Sequence, residues 1–258
     1  MDIFLKSEVV KRSWLRNMGK GYFITGTDTN IGKTFVTSHL VAAMQQIRVD
    51  AIPYKPIQSG VVKKNNRLVG EDVAFYKEYL DLKEDFSYYN TYTLETPVSP
   101  HLASKLENVS IHKEVILERY KELEEQHDVI FVEGAGGVAV PLKEDFDTID
   151  LMKELKLPVI IVTTLKLGTL NHTLLTTEYL KSHQIEIKGL IINKVPSRLN
   201  VMEKDNVMMM KKMTGLDVIG LIPDYKQPED ITKISNLQFQ NMIMTEKLIS
   251  SEGFDELD

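Results

Sequence analysis

The run YFITGTDTNIGKT, residues 22–34, carries an apolar stretch into a glycine-containing loop and then into a helical pattern. Tyr22–Thr25 reads as a buried strand, and Val36, Leu40 and Met44 recur at helical spacing beyond Lys33. Strand, loop and helix N-terminus in that order form the context a phosphate-binding loop requires. Backbone N–H groups and the helix dipole cradle phosphates, Lys33 neutralises charge between them, and the Thr34 hydroxyl can ligate Mg²⁺. The spacing departs from G-x-x-x-x-G-K-[ST], because the position five before Gly32 is Thr27, with a glycine one earlier at Gly26. The loop predicts a protein that binds a nucleoside triphosphate.

Outward from this loop, short apolar runs alternate with longer helical patterns. The strand expectations are Tyr22–Thr25, Ala51–Tyr54, Val129–Val132, Val159–Thr163, Leu190–Ile192 and Val218–Leu221. Several lack polar alternation, as strands covered on both faces of a parallel sheet do. Helices are expected near 33–47, 70–80, 112–126, 148–156, 170–184 and 201–213. The predicted fold class is therefore α/β: a single-domain, P-loop NTPase-like layer with a mostly parallel sheet flanked by helices. With no internal repeat or Pro/Gly-rich linker, residues 21–258 read as one domain, and 1–20 as an N-terminal extension. Met18, just before the first strand, is the expected natural start. The tyrosine-rich stretch Tyr88–Tyr92 is expected to pack under its neighbours, because no basic surface accompanies it for base stacking.

Composition narrows the chemistry. The chain has 258 residues, 43% hydrophobic and 26% charged, with a formal net charge of -6. That balance does not suit a general nucleic-acid binder. No segment offers the roughly 20 apolar residues that span a bilayer, so neither nucleic acid nor membrane is an expected partner. The chain has no cysteine, which removes disulfides, thiolate metal sites and cysteine nucleophiles, and fits a cytoplasmic setting. None of the six histidines forms an H-x-x-x-H or H-E-x-x-H pattern.

Two further segments refine the loop's reading. DVIFVEGAGG ends a strand in Glu133, where a carboxylate can hold Mg²⁺, and the turn at Gly134, Ala135 and Gly136 lets backbone approach a ligand. YKPIQSG places Lys55 after the second strand with Ser59 nearby, a second cation for a transferring phosphoryl group.

The whole series resembles the dethiobiotin synthetase family, the ATP-dependent carboxylases of biotin synthesis. The segments that carry the resemblance are GTDTNIGKT, YKPIQSG, GEDV, YTLETPVSPH, VEGAGGVAVPL, LPVIIVTTLKLGTLNH, INKV and GLIPDY, in the family's order from Gly21 to about Asp230. The family commonly has Glu where this loop has Asn30; the backbone N–H there serves either way.

The resemblance implies a cyclo-ligase that joins CO₂ (or bicarbonate) to 7,8-diaminononanoate with Mg²⁺ as cofactor and ATP as co-substrate. It makes Lys33 and Lys55 the catalytic clamps, and Thr27 and Ser59 partners of the carbamate or amine. Thr34, Asp72 and Glu133 become metal ligands. ATP would be held by Asn30, Ile31, Gly32, Lys33, Thr34 and Phe35, by Asp72, Glu133, Gly134, Ala135 and Gly136, and by Asn193, Lys194, Pro223, Asp224 and Tyr225. Gly168, Thr169, Leu170 and Asn171 open a helix that would bind the substrate carboxylate from the other subunit of a homodimer. The alternative is a P-loop ATPase switch of the partitioning or positioning type, which would carry a second lysine early in the loop, where this chain reads GTDTN. An amidotransferase-coupled ligase would need a glutaminase cysteine that the chain lacks.

Overall fold

The computed structural model describes residues 21–46, 48–64 and 66–225; the extension 1–20 with Met18, and the chain beyond 225, lie outside the described residues. In chain order, the elements are β1 (Gly21–Gly26), α1 (Lys33–Gln46), β2 (Ala51–Ser59), β3 (Val61–Lys64), β4 (Arg67–Gly70), α2 (Glu71–Leu80), α3 (Phe86–Tyr89), β5 (Asn90–Leu94) and α4 (Pro100–Glu107). Then come α5 (Lys113–Gln126), β6 (Val129–Glu133), β7 (Pro141–Lys143), β8 (Phe146–Asp147), α6 (Thr148–Leu155), β9 (Val159–Thr163), α7 (Thr169–Ser182), β10 (Ile187–Val195), α8 (Val201–Thr214) and β11 (Val218–Pro223). Seven strands form the main sheet in the order β11-β10-β9-β1-β6-β2-β5. The β2–β5, β2–β6, β9–β10 and β10–β11 pairs are all parallel. The predicted α/β class is the observed one. Every residue of β1, β6 and β9 is buried, which is why these strands read as continuous apolar runs. No described helix is long and apolar enough to cross a membrane.

Within the described residues, the chain divides into two compact units. One holds 21–23, 37–135 and 139–158; the other holds 24–36, 136–138 and 159–225. In the first unit, β2 changes neighbour midway. Ala51 to Tyr54 pair with Val129 to Val132 of β6, whereas Lys55 to Ser59 pair with Asn90 to Leu94 of β5. Lys55 thus stands where the strand leaves one partner for the other, at the C-terminal end of β6. The core of this unit includes Phe131, Ile130, Tyr54, Ile57, Ile116 and Leu123, all nearly inaccessible. Its α5 buries Ile116, Tyr120 and Leu123 at the expected helical spacing, and α6 opens with a reciprocal capping box between Asp147 and Asp150.

In the second unit, β10 runs with β9 through Ile192↔Thr163, then shifts register before Val195↔Pro223 on β11. Lys194, inside that shift, takes a left-handed backbone with φ 57°. Such a bulge re-aims side chains at a strand end. Here the residues re-aimed are Asn193 and Lys194.

Candidate functional site

The phosphate loop belongs to the second unit. Its entry is pinned by the Thr27 N–H, which donates to the Val162 carbonyl at 3.0 Å, and by the Thr27 hydroxyl, 3.5 Å from Thr163 Oγ1. The Asp28 carboxylate accepts from the Thr29 N–H at 2.6 Å, and the Lys33 ammonium donates to the Asp28 carbonyl at 3.3 Å, curling the loop back over its own lysine. Lys33 is buried, while Asp28, Thr29 and Asn30 are exposed and Ile31, Gly32, Thr34 and Phe35 are half-buried.

Gly32 is required on two counts. Its φ is +92°, and a Cβ there would stand 2.2 Å from Asn193 Nδ2. That same Nδ2 donates to the Ile31 carbonyl at 2.9 Å, and Lys194 Nζ reaches the Asn30 carbonyl at 3.2 Å. The β10 bulge therefore buttresses the loop from beneath. Asn193 is 1% exposed, and its Oδ1 is a buried acceptor without a hydrogen-bond partner. Phe35 and Tyr225 stand 5.8 Å apart between ring centroids, and burial pushes the Tyr225 phenol up to about 12. Pro223 closes β11, and Asp224 is exposed, its N–H bonded to the Val195 carbonyl.

Gly168, with φ +94°, precedes α7, and no side chain caps that helix. Gly168 and Asn171 are exposed, Leu170 is half-buried, and Thr169 is 5% exposed. The Thr169 hydroxyl is committed inward, to Thr163 Oγ1 at 2.8 Å and the Thr164 carbonyl at 2.6 Å. Only its backbone remains to meet a ligand.

The first unit gathers a charged cluster. Lys55, 4% exposed, lies 2.7 Å from Glu133 Oε1 and 2.8 Å from Asp72 Oδ2, and donates to the Gly134 carbonyl at 3.1 Å. Burial alone would pull the Lys55 pKa down. Asp72 and Glu133 raise it by more, so the ammonium is held above the ordinary lysine value. Glu133 is 1% exposed and takes a second hydrogen bond on Oε2 from the Tyr76 phenol, whose own pKa is driven well above normal by burial and the Glu133 charge. Asp72 is more open, at 28%.

Local structure explains each placement. β2 delivers Lys55 at its change of neighbour, and Asn90 Nδ2 donates to the Lys55 carbonyl at 2.6 Å. The Gln58 carboxamide, with its oxygen toward α2, accepts from the Glu71 and Asp72 N–H groups at 2.5 and 2.6 Å and so caps the helix that bears Asp72. Ser59, four residues beyond Lys55, is half-buried at the end of the strand. Gly134 is buried, and Ala135 and Gly136 are half-buried. The motif reading found Lys55 and Glu133, the family resemblance added Asp72, and neither pointed to Tyr76, Gln58 or Asn90. Tyr76 had one signal, its position four residues after Asp72 on a predicted helix.

A family profile described as an AAA domain matches residues 20–232. An ATP-dependent dethiobiotin synthetase from Halalkalibacterium halodurans is 42% identical over 205 residues, covering 79% of this chain and 84% of the relative. One from Clostridium novyi is 40% identical over 224 residues, covering 85% and 94%. This chain belongs to the dethiobiotin synthetase family. As a member it is an enzyme of the cyclo-ligase type.

Among solved structures, a ParA family ATPase from Chlorobium tepidum superposes with a TM-score of 0.52 at 16% identity, covering 86% of this chain and 92% of that one. MinD from Pyrococcus horikoshii, solved with Mg-ADP, gives 0.52 at 16%, covering 92% and 93%. At that identity the likeness shows the fold alone. The dethiobiotin synthetase pattern also implies Mg²⁺. Among the described residues, no group of three or more His, Cys, Asp or Glu side chains converges as a metal site. Asp72 and Glu133 nonetheless converge on one cation, the Lys55 ammonium, which stands in for a charge between two hard oxygen donors. That donor chemistry fits Mg²⁺, which takes one or two carboxylates and completes its shell with phosphate and water.

Proposed function

We propose that this chain converts 7,8-diaminononanoate, CO₂ and ATP into dethiobiotin, ADP and phosphate. A substrate amine adds to CO₂ and releases a proton, giving a carbamate whose oxygen is a poor leaving group. Transfer of the γ-phosphoryl group to that oxygen makes a carbamic–phosphoric anhydride. The second amine then attacks the carbonyl carbon, the C–O bond to phosphate breaks, and the cyclic urea closes as a proton leaves. Every stage before ring closure concentrates negative charge, so the protein's task is positioning and electrostatic stabilisation.

The observation that carries this reading is the buried Lys55 ammonium at the C-terminal end of β6, held by two carboxylates, in a family of dethiobiotin synthetases. A lysine kept protonated in a site of low polarity is suited to binding a carbamate or a transferring phosphoryl oxygen. Lys33 and the loop N–H groups of Asn30–Thr34 bind the triphosphate. Thr27 and Ser59 meet the carbamate or amine. Asp72, Glu133 and Thr34 would hold Mg²⁺, which when bound neutralises phosphate charge. In this reading Phe35, Asn193, Lys194 and the Pro223–Tyr225 turn surround the base, and the free Asn193 Oδ1 supplies an acceptor for an exocyclic amine. The α7 N-terminus, Gly168–Asn171, takes the substrate carboxylate across a homodimer. Residues 21–258 then act as one ligase domain in the cytoplasm.

The test is ADP release from Mg-ATP and bicarbonate with and without 7,8-diaminononanoate. Diamine-dependent turnover is expected, and turnover indifferent to the diamine would refute the assignment.

A further inference from the structure

Lys55 has no donor to spare. An ammonium carries three N–H bonds, and Glu133 Oε1, Asp72 Oδ2 and the Gly134 carbonyl lie at 2.7, 2.8 and 3.1 Å from its nitrogen. To grip a substrate oxygen, Lys55 must exchange one of these partners. Exposure distinguishes the two carboxylates: Asp72 is 28% exposed, and Glu133 is 1%. Asp72 is therefore the partner that can be given up, because its charge can be re-solvated or matched by another cation. Stripping a buried Glu133 of its counter-charge would leave an uncompensated charge out of reach of solvent, which is strongly unfavourable.

Glu133 is also held from behind. Its Oε2 accepts from the phenol of Tyr76, a side chain with no exposed surface. Asp72 and Tyr76 lie four residues apart on α2, hence on one helix face. One helix thus brings both the exchangeable partner of Lys55 and the group that immobilises the permanent one. A carboxylate held at both oxygens is restrained in rotation; without the bond at Oε2 it has more freedom to follow the ammonium.

We propose that Tyr76 is a positioning residue: its O–H fixes the Glu133 carboxylate, so that Lys55 can trade Asp72 for an anionic substrate oxygen while remaining anchored. The identity of that oxygen rests on the ligase reading; the anchoring does not. A role limited to satisfying a buried carboxylate would make Tyr76 matter for folding alone.

Two measurements on the whole chain separate these roles. The first is the ¹H–¹⁵N NMR signal of the Lys55 ammonium in ligand-free protein. It is expected to be resolved in the unmodified chain, because all three protons are bonded and buried, and to broaden beyond detection in Tyr76→Phe. The second is steady-state kinetics of Tyr76→Phe normalised to bound ADP. A fall in kcat of roughly 10-fold to 100-fold, with KM for ATP unchanged, is expected for loss of an orienting hydrogen bond. A sharp Lys55 signal in Tyr76→Phe overturns the proposal whatever the kinetics. So does a loss of kcat that merely follows the loss of ADP-binding protein. Loss of the signal in a protein whose unmodified form has no diamine-dependent turnover supports the anchoring and refutes the ligase reading instead. Should Tyr76→Phe fail to fold, Tyr76→Met, which likewise lacks the hydroxyl, is read in its place, and a sharp Lys55 signal there overturns the proposal.

Discussion

Replacing Lys55 by methionine keeps the length of the side chain and deletes its charge. Glu133, 1% exposed, and Asp72, 28% exposed, then face each other across the vacated position without the Lys55 charge. Removing one member of a buried pair costs about 3–5 kcal/mol, mostly from the uncompensated charge left behind. For a chain of this size each kcal/mol moves Tm by roughly 2–4 °C, so Lys55→Met should melt about 6–20 °C below the unmodified protein. The pH dependence has a definite sign. In the unmodified chain, the Lys55 pKa is raised, so its contribution is fully present below the ordinary lysine value of about 10.5 and lost only as pH rises through the folded-state value. Neutral and mildly acidic buffers should therefore leave that contribution intact. In the variant, one carboxylate acquires a raised pKa from its like-charged neighbour, and the deficit should shrink as pH falls through it. Calorimetric melts of both proteins at several pH values, without nucleotide, measure this directly. Millimolar Mg²⁺ should recover part of the lost Tm in Lys55→Met and have a smaller effect on the unmodified chain. A Tm unchanged by the substitution, or a deficit that deepens on acidification, would refute the argument.

Other substitutions test the remaining contacts. Asp72→Asn should reduce the gain in ATP affinity that Mg²⁺ confers, read by calorimetric titration with and without chelator; an unchanged gain would remove Asp72 from the metal's ligands. Gly32→Ala forces a side chain into φ +92° and against Asn193 Nδ2, a strain of order 1–3 kcal/mol. Its nucleotide affinity should fall by tenfold or more by fluorescence titration, and wild-type affinity would show that the buttress beneath the loop does not matter. Gln58→Leu removes the acceptor for the Glu71 and Asp72 N–H groups and should cost about 1 kcal/mol. Hydrogen exchange at those two amides should accelerate, and unchanged protection would refute the capping role.

How far the sequence could be read follows from where its signals are local. Six helices and six of the seven strands of the main sheet stand where periodicity and β-branched runs placed them, because their burial is on one stripe or on both faces. The strand expected to stop at Tyr54 continues to Ser59. Pro56 gives no ladder donor, which in general disfavours a strand interior. That argument assumes one neighbour throughout, and β2 instead changes neighbour at Lys55. The basic, polar stretch KKNNR carries no strand signal, yet Val61 to Lys64 pair antiparallel with Arg67 to Gly70, with φ 61° at Asn66. Asn tolerates the left-handed backbone that such a turn needs. The tyrosine-rich stretch packs partly as expected, with Tyr89 buried, and continues into β5 beside β2. The site was legible in part: motif chemistry pointed to Lys55 and Glu133, and the family resemblance alone added Asp72, although 17 and 61 positions separate the three in sequence. Tyr76 and Gln58 were not, because neither belongs to a pattern whose residue types announce a reaction.

The fold taken alone would have favoured a different reading. ParA and MinD structures superpose on this chain at a TM-score of 0.52, and the rival expectation was a switch of that type. A shared sheet and phosphate loop fix where a triphosphate lies, because both follow from strand–loop–helix geometry; they do not fix what attacks it. The discriminating chemistry lies in how a second cation is supplied. The rival places a lysine early in the loop itself, and the Gly26–Asn30 segment here offers none. Instead, this chain buries Lys55 on β2, outside that loop, and assigns it two carboxylates and a carbonyl. A lysine on a mobile loop can be presented to a partner subunit and withdrawn. One embedded at a strand's change of neighbour, below 5% exposure, is suited to holding a small anion in one orientation through several steps. Carbamate formation, phosphorylation and ring closure form such a series, whereas a nucleotide-gated switch has only one bond to break.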